Sequence, residues 1–485
     1  MLLAAALLLR FPQFGNAIAG LDEQFYLLVG ERMHHGALPY VDLWDRKPIG
    51  LFLIFAGIAA LPGDGVLAAQ LVATLCATGT ALLIVLIARR WTGWVPAAMA
   101  GLFYLGGLNE LWGETTQTPV FYNLPLAAAA LLTLRAGADP AGPVHRREAL
   151  AAMLLAGLAI QIKTSAVFEG AFFGGWLAWR CWQTTRSAPL TARTAAGFAL
   201  AGAAPTLAAM LGYWALGHFD AWWQANVLSV LAKGAPQDAH AIELLKGSIV
   251  LMAPAALIAL LGLWARTRRF TAWPTETFFL LGWAAVSIAD FLAIGGYFPH
   301  YAMPLLLACC PLLAQGFAVR RIGPVLFAVT MVWPIVHALV FTTRIGAVER
   351  AYAAQVVAAL PADVRTQCMF IYEGPVAYYH LTDACLVTRF AFTAHLSSAR
   401  ESHALGVDPA AALRAAIARR PGTVLTIENS TWTDRNPAME RELAGLLAGR
   451  YRPVARLPHR HYSTDEHILV WRRDDLAAPL PRTGG

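Results

Sequence analysis

The residues best suited to chemistry are gathered between Ala19 and Pro48, in the stretch LDEQFYLLVGERMHHGALPYVDLWDRKP. It opens on adjacent carboxylates, Asp22 and Glu23, and closes on Asp45 followed by two cations, Arg46 and Lys47. A partly desolvated carboxylate is more basic than one in water and can take a proton from a hydroxyl. Guanidinium and ammonium groups form short charge-assisted hydrogen bonds to phosphate oxygens. A further cation, Lys163, interrupts the apolar run Ala159 to Val167. There it needs a partner or must snorkel to the interface. Asp290, inside another apolar run, is a functional candidate because a carboxylate is costly there. In Phe298-Pro299-His300-Tyr301, His300 and Tyr301 either touch an anion or belong to an interfacial aromatic belt. Plainer roles exist as well: Asp22 suits the N-cap of a helix starting at Glu23. His34 and His35 are adjacent rather than at ligand spacing, which suits a solvated pair better than a zinc site.

The elements that must position these groups follow from composition. Of 485 residues 58% are apolar and only 14% charged, against roughly 25% charged in an ordinary soluble domain. Apolar segments suited to crossing a bilayer run over about 66–88, 94–109, 119–135, 148–162, 164–180, 195–216, 247–264, 277–294, 301–319 and 323–342, since a span takes roughly 20 apolar residues. The pair between 148 and 180 is short and requires tilting or a thinned bilayer. A first segment from Met1 either continues to Ala19 with Arg10 near one end or begins upstream of this sequence; it carries no cleavable-signal pattern. The expected fold is thus a polytopic α-helical membrane protein of about eleven spans with interfacial helices. Its transmembrane domain covers 1–346, and a soluble α/β domain covers 347–485.

Arginine placement sets the orientation. Arg89 and Arg90, Arg135 with Arg146 and Arg147, Arg180 with Arg186 and Arg193, Arg266 with Arg268 and Arg269, and Arg320 with Arg321 occupy every second loop. Basic short loops stay cytoplasmic. The alternate loops hold Asp22, Glu23, Asp45, Glu110, Glu114, His218, Asp220, Asp238, Glu243 and His300, so the reactive loop, 20–48, and the C-terminal domain are expected outside. The net charge of +7 thereby reflects topology, and no nucleic-acid partner is expected. Within the loop Phe25, Leu28, Val29 and Met33 share a helical face, with Glu31, Arg32, His34 and His35 off it, which predicts an amphipathic helix along the membrane surface. Ile49 to Leu61 is too short to cross and reads as an interfacial or re-entrant piece.

Arg10-Phe11-Pro12, Asp22-Glu23 with Tyr26, Gly36, Pro39-Tyr40, Asp42 and Arg46-Lys47-Pro48, followed by Lys163-Thr164 and Phe298-Pro299-His300-Tyr301, resemble the GT-C glycosyltransferases. The resemblance is in particular to the bacterial branch related to protein mannosyltransferases and the lipid A aminoarabinose transferase. It covers most of residues 10–310. The resemblance implies transfer of a sugar, with inversion, from a polyprenyl-phosphate donor to a lipid, glycan or protein acceptor on the periplasmic face of a bacterial inner membrane. It implies Asp22 as the base beside Glu23, and Arg46, Lys47, Lys163, His300 and Tyr301 as contacts of the leaving phosphate. Asp45, Glu114 and Asp290 are further site acids. Some relatives have an acidic residue after the third span that joins a divalent metal; here that neighbourhood reads Glu114-Thr115-Thr116-Gln117-Thr118, which puts a metal cofactor in question. A lipid flippase or polymerase, and a non-catalytic scaffold binding lipid phosphate, are the rival functions.

The C-terminal region alternates β-rich runs, 369–372, 386–388, 424–427 and 468–471, with helical stretches at 408–420 and 437–449, and is read as acceptor-binding or structural. Cys368 and Cys385 flank a strand-helix-strand unit in an oxidising compartment, and a disulfide between them is expected. Cys76, Cys181, Cys309 and Cys310 lie in or beside spans as packing residues.

Overall fold

The computed structural model describes residues 1–139, 142–233, 239–267, 274–432, 434–459 and 465–476. Arg268, Arg269 and Asp238, part of the charge alternation above, lie outside them. The chain opens with α1 (Leu2–Arg10), α2 (Asp22–His34) and α3 (Ile49–Ala59), followed by α4 (Gly65–Ala88), α5 (Trp94–Glu110), α6 (Thr118–Ala136), α7 (Arg146–Ile160), α8 (Val167–Thr185) and α9 (Ala188–Ala215). After α10 (Phe219–Trp223), a π turn and α11 (Ser229–Lys233) come α12 (Ala239–Thr267), α13 (Thr275–Ile294), α14 (Met303–Phe317), α15 (Ile322–Val336), a second π turn and α16 (Thr343–Ala359).

Each expected span from residue 66 onward coincides with a helix. Among the described residues seven helices are long and apolar enough to cross a bilayer, beginning with Gly65–Ala88 and ending with the continuous Ile322–Ala359. Other expected crossings are shorter, α5 having 17 residues and α7 15. Close packing follows from small side chains: Ala69, Ala73, Ala77 and Ala81 form one buried stripe of α4 against α5 and α6.

Three expectations are corrected. The first helix does not run to Ala19; it stops at Arg10 and gives way to a 3₁₀ turn at Phe11–Gln13, with Pro12 inside. The cause is Arg10 itself, whose buried guanidinium bonds Thr74 Oγ1 at 3.1 Å and the carbonyls of Gly113 and Thr115, so the chain turns where the charge finds acceptors. α2 is no surface helix, because every residue from Glu23 to Gly30 is buried between α3 and the C-terminal domain. Leu386–Thr388 makes only an isolated bridge, Met369 to Leu386, instead of a strand. Residue 346, where the division is drawn, falls inside the continuous helix Ile322–Ala359.

Beyond α17 (Val364–Gln367) the C-terminal part holds β1 (Met369–Ile371), β2 (Thr423–Glu428), β3 (Tyr451–Pro458) and β4 (His467–Arg473) in the order β1-β2-β4-β3. β1 pairs parallel with β2, and the other neighbours are antiparallel. α18 (Ala377–Thr382), α19 (Ala394–Ser397), α20 (Ala399–His403), α21 (Pro409–Ala418) and α22 (Pro437–Leu447) surround the sheet. Leu413, Ile417, Leu443 and Leu447 pack with Phe370 and Val424 on one face; Met369, Ile371, Leu425 and Ile468 on the other belong to the core shared with the helical domain. Cys368 and Cys385 are joined, their Cα atoms 4.5 Å apart.

Candidate active site

Three chain segments meet at the end of the bundle that faces the C-terminal domain. The loop after α2 folds into a tight turn in which Tyr40 adopts φ 71° and its amide bonds the Leu43 carbonyl at 2.6 Å. Asp45 then caps the next residues, its Oδ1 accepting from the amides of Arg46 at 2.5 Å and Lys47 at 2.9 Å. The Tyr40 hydroxyl donates to the Lys47 carbonyl at 2.8 Å. Pro48 ends the loop and α3 begins.

α3 is seated on a break between α7 and α8. There Gln161 leaves its carbonyl free to accept the Leu51 amide at 3.1 Å, and Lys163 is extended, at φ −148° and ψ 124°. Gly50 makes the seat possible: a Cβ on it would stand 2.6 Å from the Gln161 oxygen. This junction carries Lys47 and Lys163 to the same place. Lys163 interacts electrostatically with Lys47, Asp290, Asp22 and Glu169, and its Nζ lies 4.0 Å from the centre of the Tyr301 ring. His300 and Tyr301, at the 3₁₀ turn opening α14, stand 4.4 Å apart ring to ring.

Asp22 is the first residue of α2, with Leu21 as N-cap, and makes no cap bond. Its carboxylate instead accepts from the Tyr26 hydroxyl at 3.2 Å and faces Lys47 Nζ at 3.7 Å, with 30% of its side chain exposed. It is thus oriented, paired with a cation and reachable. Glu23 points the other way. It is buried, accepts from Thr115 Oγ1 and, at 3.0 Å, from Gln117 Nε2, and burial pushes its carboxyl up to about 7. Glu114, which interacts electrostatically with it, is likewise lifted to about 7 by burial, against the opposing charge of Arg10.

The donor set does not fit a metal. Gln117 is an amide donating to Glu23, while Asp22 is engaged by Lys47 and Tyr26. A divalent ion at Asp22 would have to displace a lysine and face Lys163 as well.

Of the sequence candidates, the structure groups Asp22, Lys47, Lys163, Asp290, His300 and Tyr301. Glu23, in the first turn of α2, is turned to Thr115 and Gln117 and interacts electrostatically with Glu114, and Asp45 serves the loop backbone. Asp290 is buried within α13, with one oxygen lacking a hydrogen-bond partner. Arg46 does not join Lys47. It pairs with Glu401 of α20, which also takes Lys233 at 2.5 Å. Burial would raise the Glu401 carboxyl, but these two cations outweigh it and hold it at about 2. Glu401, Lys233 and Glu169, which accepts from Ser287 at 3.0 Å, were not among the sequence candidates. Glu169 alone carried a usable signal, a carboxylate within an apolar run.

The C-terminal domain covers this arrangement. Trp44 enters its core, with its amide bonded to the Arg389 carbonyl at 2.9 Å and its ring 4.8 Å from that of His395. α2 is clasped by Gln24 Oε1, which accepts the Ala377 amide at 3.0 Å, by Glu31 to His380 at 2.6 Å, and by Arg32 to the Ala384 carbonyl at 2.7 Å.

No protein-family model and no curated protein matches the sequence. Among solved structures, the chain superposes on ArnT from Cupriavidus metallidurans in its apo state with a TM-score of 0.65 at 15% identity, over 98% of both chains. With the same protein bound to undecaprenyl phosphate the score is 0.61 at 16% identity, again over 98% of both. The likeness is one of fold and takes in the helical and C-terminal parts together.

Proposed function

We propose that this chain, which has the GT-C fold, transfers a sugar from a polyprenyl-phosphate donor to a hydroxyl-bearing acceptor, with Asp22 as base and Lys47 as the main phosphate contact. The observation that carries the reading is the Asp22 to Lys47 pair at 3.7 Å, a base and a phosphate-binding cation side by side at the junction of three segments. A structure of the same fold, ArnT, has been solved with undecaprenyl phosphate bound.

In this reading the donor phosphate takes over Lys47 and releases Asp22, which then accepts the proton of the acceptor hydroxyl as its oxygen attacks the anomeric carbon. The bond from that carbon to the phosphate oxygen breaks on the opposite side, with inversion. Polyprenyl phosphate departs with the bonding electrons, and its added negative charge is met by Lys47, Lys163 and the Tyr301 hydroxyl. Tyr26 holds Asp22 in line through its hydroxyl. Glu23 acts as a positioning residue, since its bonds to Thr115 and Gln117 fix the first turn of α2 that carries Asp22. The bacterial inner membrane is the proposed location, with the sheet domain in the periplasm.

Transfer from a panel of radiolabelled polyprenyl-phosphate sugars into a membrane lipid extract tests the reading. Lys47→Met should lower kcat/KM by ~10²- to 10³-fold, the cost of losing one donor to a developing oxyanion. Folded wild-type protein that transfers from no donor would overturn the proposal.

A further inference from the structure

A cavity of about 600 Å³ opens at the other end of the helical domain. α14 starts beside His300 and Tyr301 and runs away from the active site, and Gln315 near its far end lines this cavity, as do Arg90 and Trp91 after α4 and Arg266 near the end of α12. The proposed transfer makes no use of it. All these elements end on the arginine-rich side of the chain.

Its chemistry is specific. Among the described lining residues the charged groups are two arginines, Arg90 and Arg266, and one carboxylate, Glu276, which pairs with Arg90 at 3.7 Å, so their sum is positive. Gln315 is 7% exposed, yet neither its nitrogen nor its oxygen has a hydrogen-bond partner, and the Trp91 indole nitrogen is also buried without one. Buried polar atoms are normally satisfied, so this amide offers one donor set and one acceptor to a molecule in the cavity. The floor is closed by glycine contact: a Cβ on Gly262 of α12 would stand 2.4 Å from the Gly316 amide nitrogen of α14.

We infer that this cavity binds the headgroup of an anionic, glycerol-bearing phospholipid from the leaflet on the arginine-rich side. The phosphodiester takes the arginine charge and the N–H donors of Gln315 and Trp91, and a headgroup hydroxyl donates to Gln315 Oε1. A basic pocket between helix ends at a membrane surface is suited to such headgroups. The location, at the end of the spans where headgroups lie, favours a lipid over a free anion.

Native mass spectrometry of the full-length protein in detergent, with phosphatidylglycerol and phosphatidylethanolamine offered in equal amounts, tests the inference. Wild-type protein should retain the anionic lipid ~10-fold better, Arg266→Ala and Gln315→Leu should each remove most of that preference, and Arg266→Lys should keep it. Millimolar inorganic phosphate should not displace the lipid. Equal retention of the two lipids by wild type, which needs no variant to fold, would overturn the inference. So would complete displacement by inorganic phosphate, preference for polyprenyl phosphate at this cavity, or an undiminished preference in both loss-of-contact variants. Sugar transfer at the opposite face is a separate readout and bears on none of these outcomes.

Discussion

Glu401→Gln removes the negative charge that Arg46 and Lys233 share, and with it an ion-pair tie between the active-site loop and the C-terminal domain. A carboxyl that titrates at about 2 in place of its ordinary 4.5 is held by about 3 kcal/mol at neutral pH. The glutamine keeps the shape and loses most of that term, and it leaves two part-buried cations facing a neutral amide. The segments 43–47 and 399–403 should then open together more often. Hydrogen exchange in both should speed up by ~100-fold at neutral pH, while the α4 and α6 core is unchanged. The pH dependence has a definite sign: the folded carboxyl titrates below the unfolded one, so the stabilisation is complete above about 4.5 and is lost as pH falls toward 2. Wild-type exchange in these segments, corrected for intrinsic rate, should accelerate over that window and the variant's should not. Unchanged protection of 43–47 in Glu401→Gln at pH 7 would show that the Glu401 charge does not hold the loop to the C-terminal domain.

Two further changes probe the scaffold. Gly50→Ala places a methyl 2.6 Å from the Gln161 carbonyl oxygen and should push α3 off the α7 to α8 break; a cost of ~1–3 kcal/mol is expected, read as a lower unfolding midpoint with weaker donor binding, because Lys47 and Lys163 separate. Replacing Cys368 and Cys385 together by serine removes a link across 17 residues and should destabilise the C-terminal domain by ~3 kcal/mol, visible as earlier proteolysis of residues beyond 360 with α4 to α8 intact; free thiols at both positions in protein from native membranes would contradict the pairing.

Local pattern exposed much of this architecture. The spans were legible because lipid demands long apolar runs, and α2, α3, α21 and α22 because their boundaries carry Pro, Asp or Asn beside periodic apolar residues. Asp22 and Lys47 were legible as types in a polar loop. What the sequence hid is pairing at long range. Arg46 and Glu401 are 355 positions apart and Arg32 and Ala384 are 352, and no local signal announces that a second domain covers α2. That covering is also why Glu23 to Gly30 of the amphipathic helix are buried. β3 escaped notice because Pro453, Pro458 and alternating arginines obscure a strand at the sheet edge.

Asp22→Asn separates chemistry at Asp22 from donor binding at Lys47. Asparagine keeps the Tyr26 contact and cannot take a proton, and it leaves Lys47 without its carboxylate partner. Donor binding should therefore be retained or tightened, while transfer into the acceptor extract falls by ~10³-fold. Transfer at the wild-type rate by the asparagine variant would remove Asp22 from the chemistry, and loss of donor binding in place of turnover would make it a binding residue instead of a base.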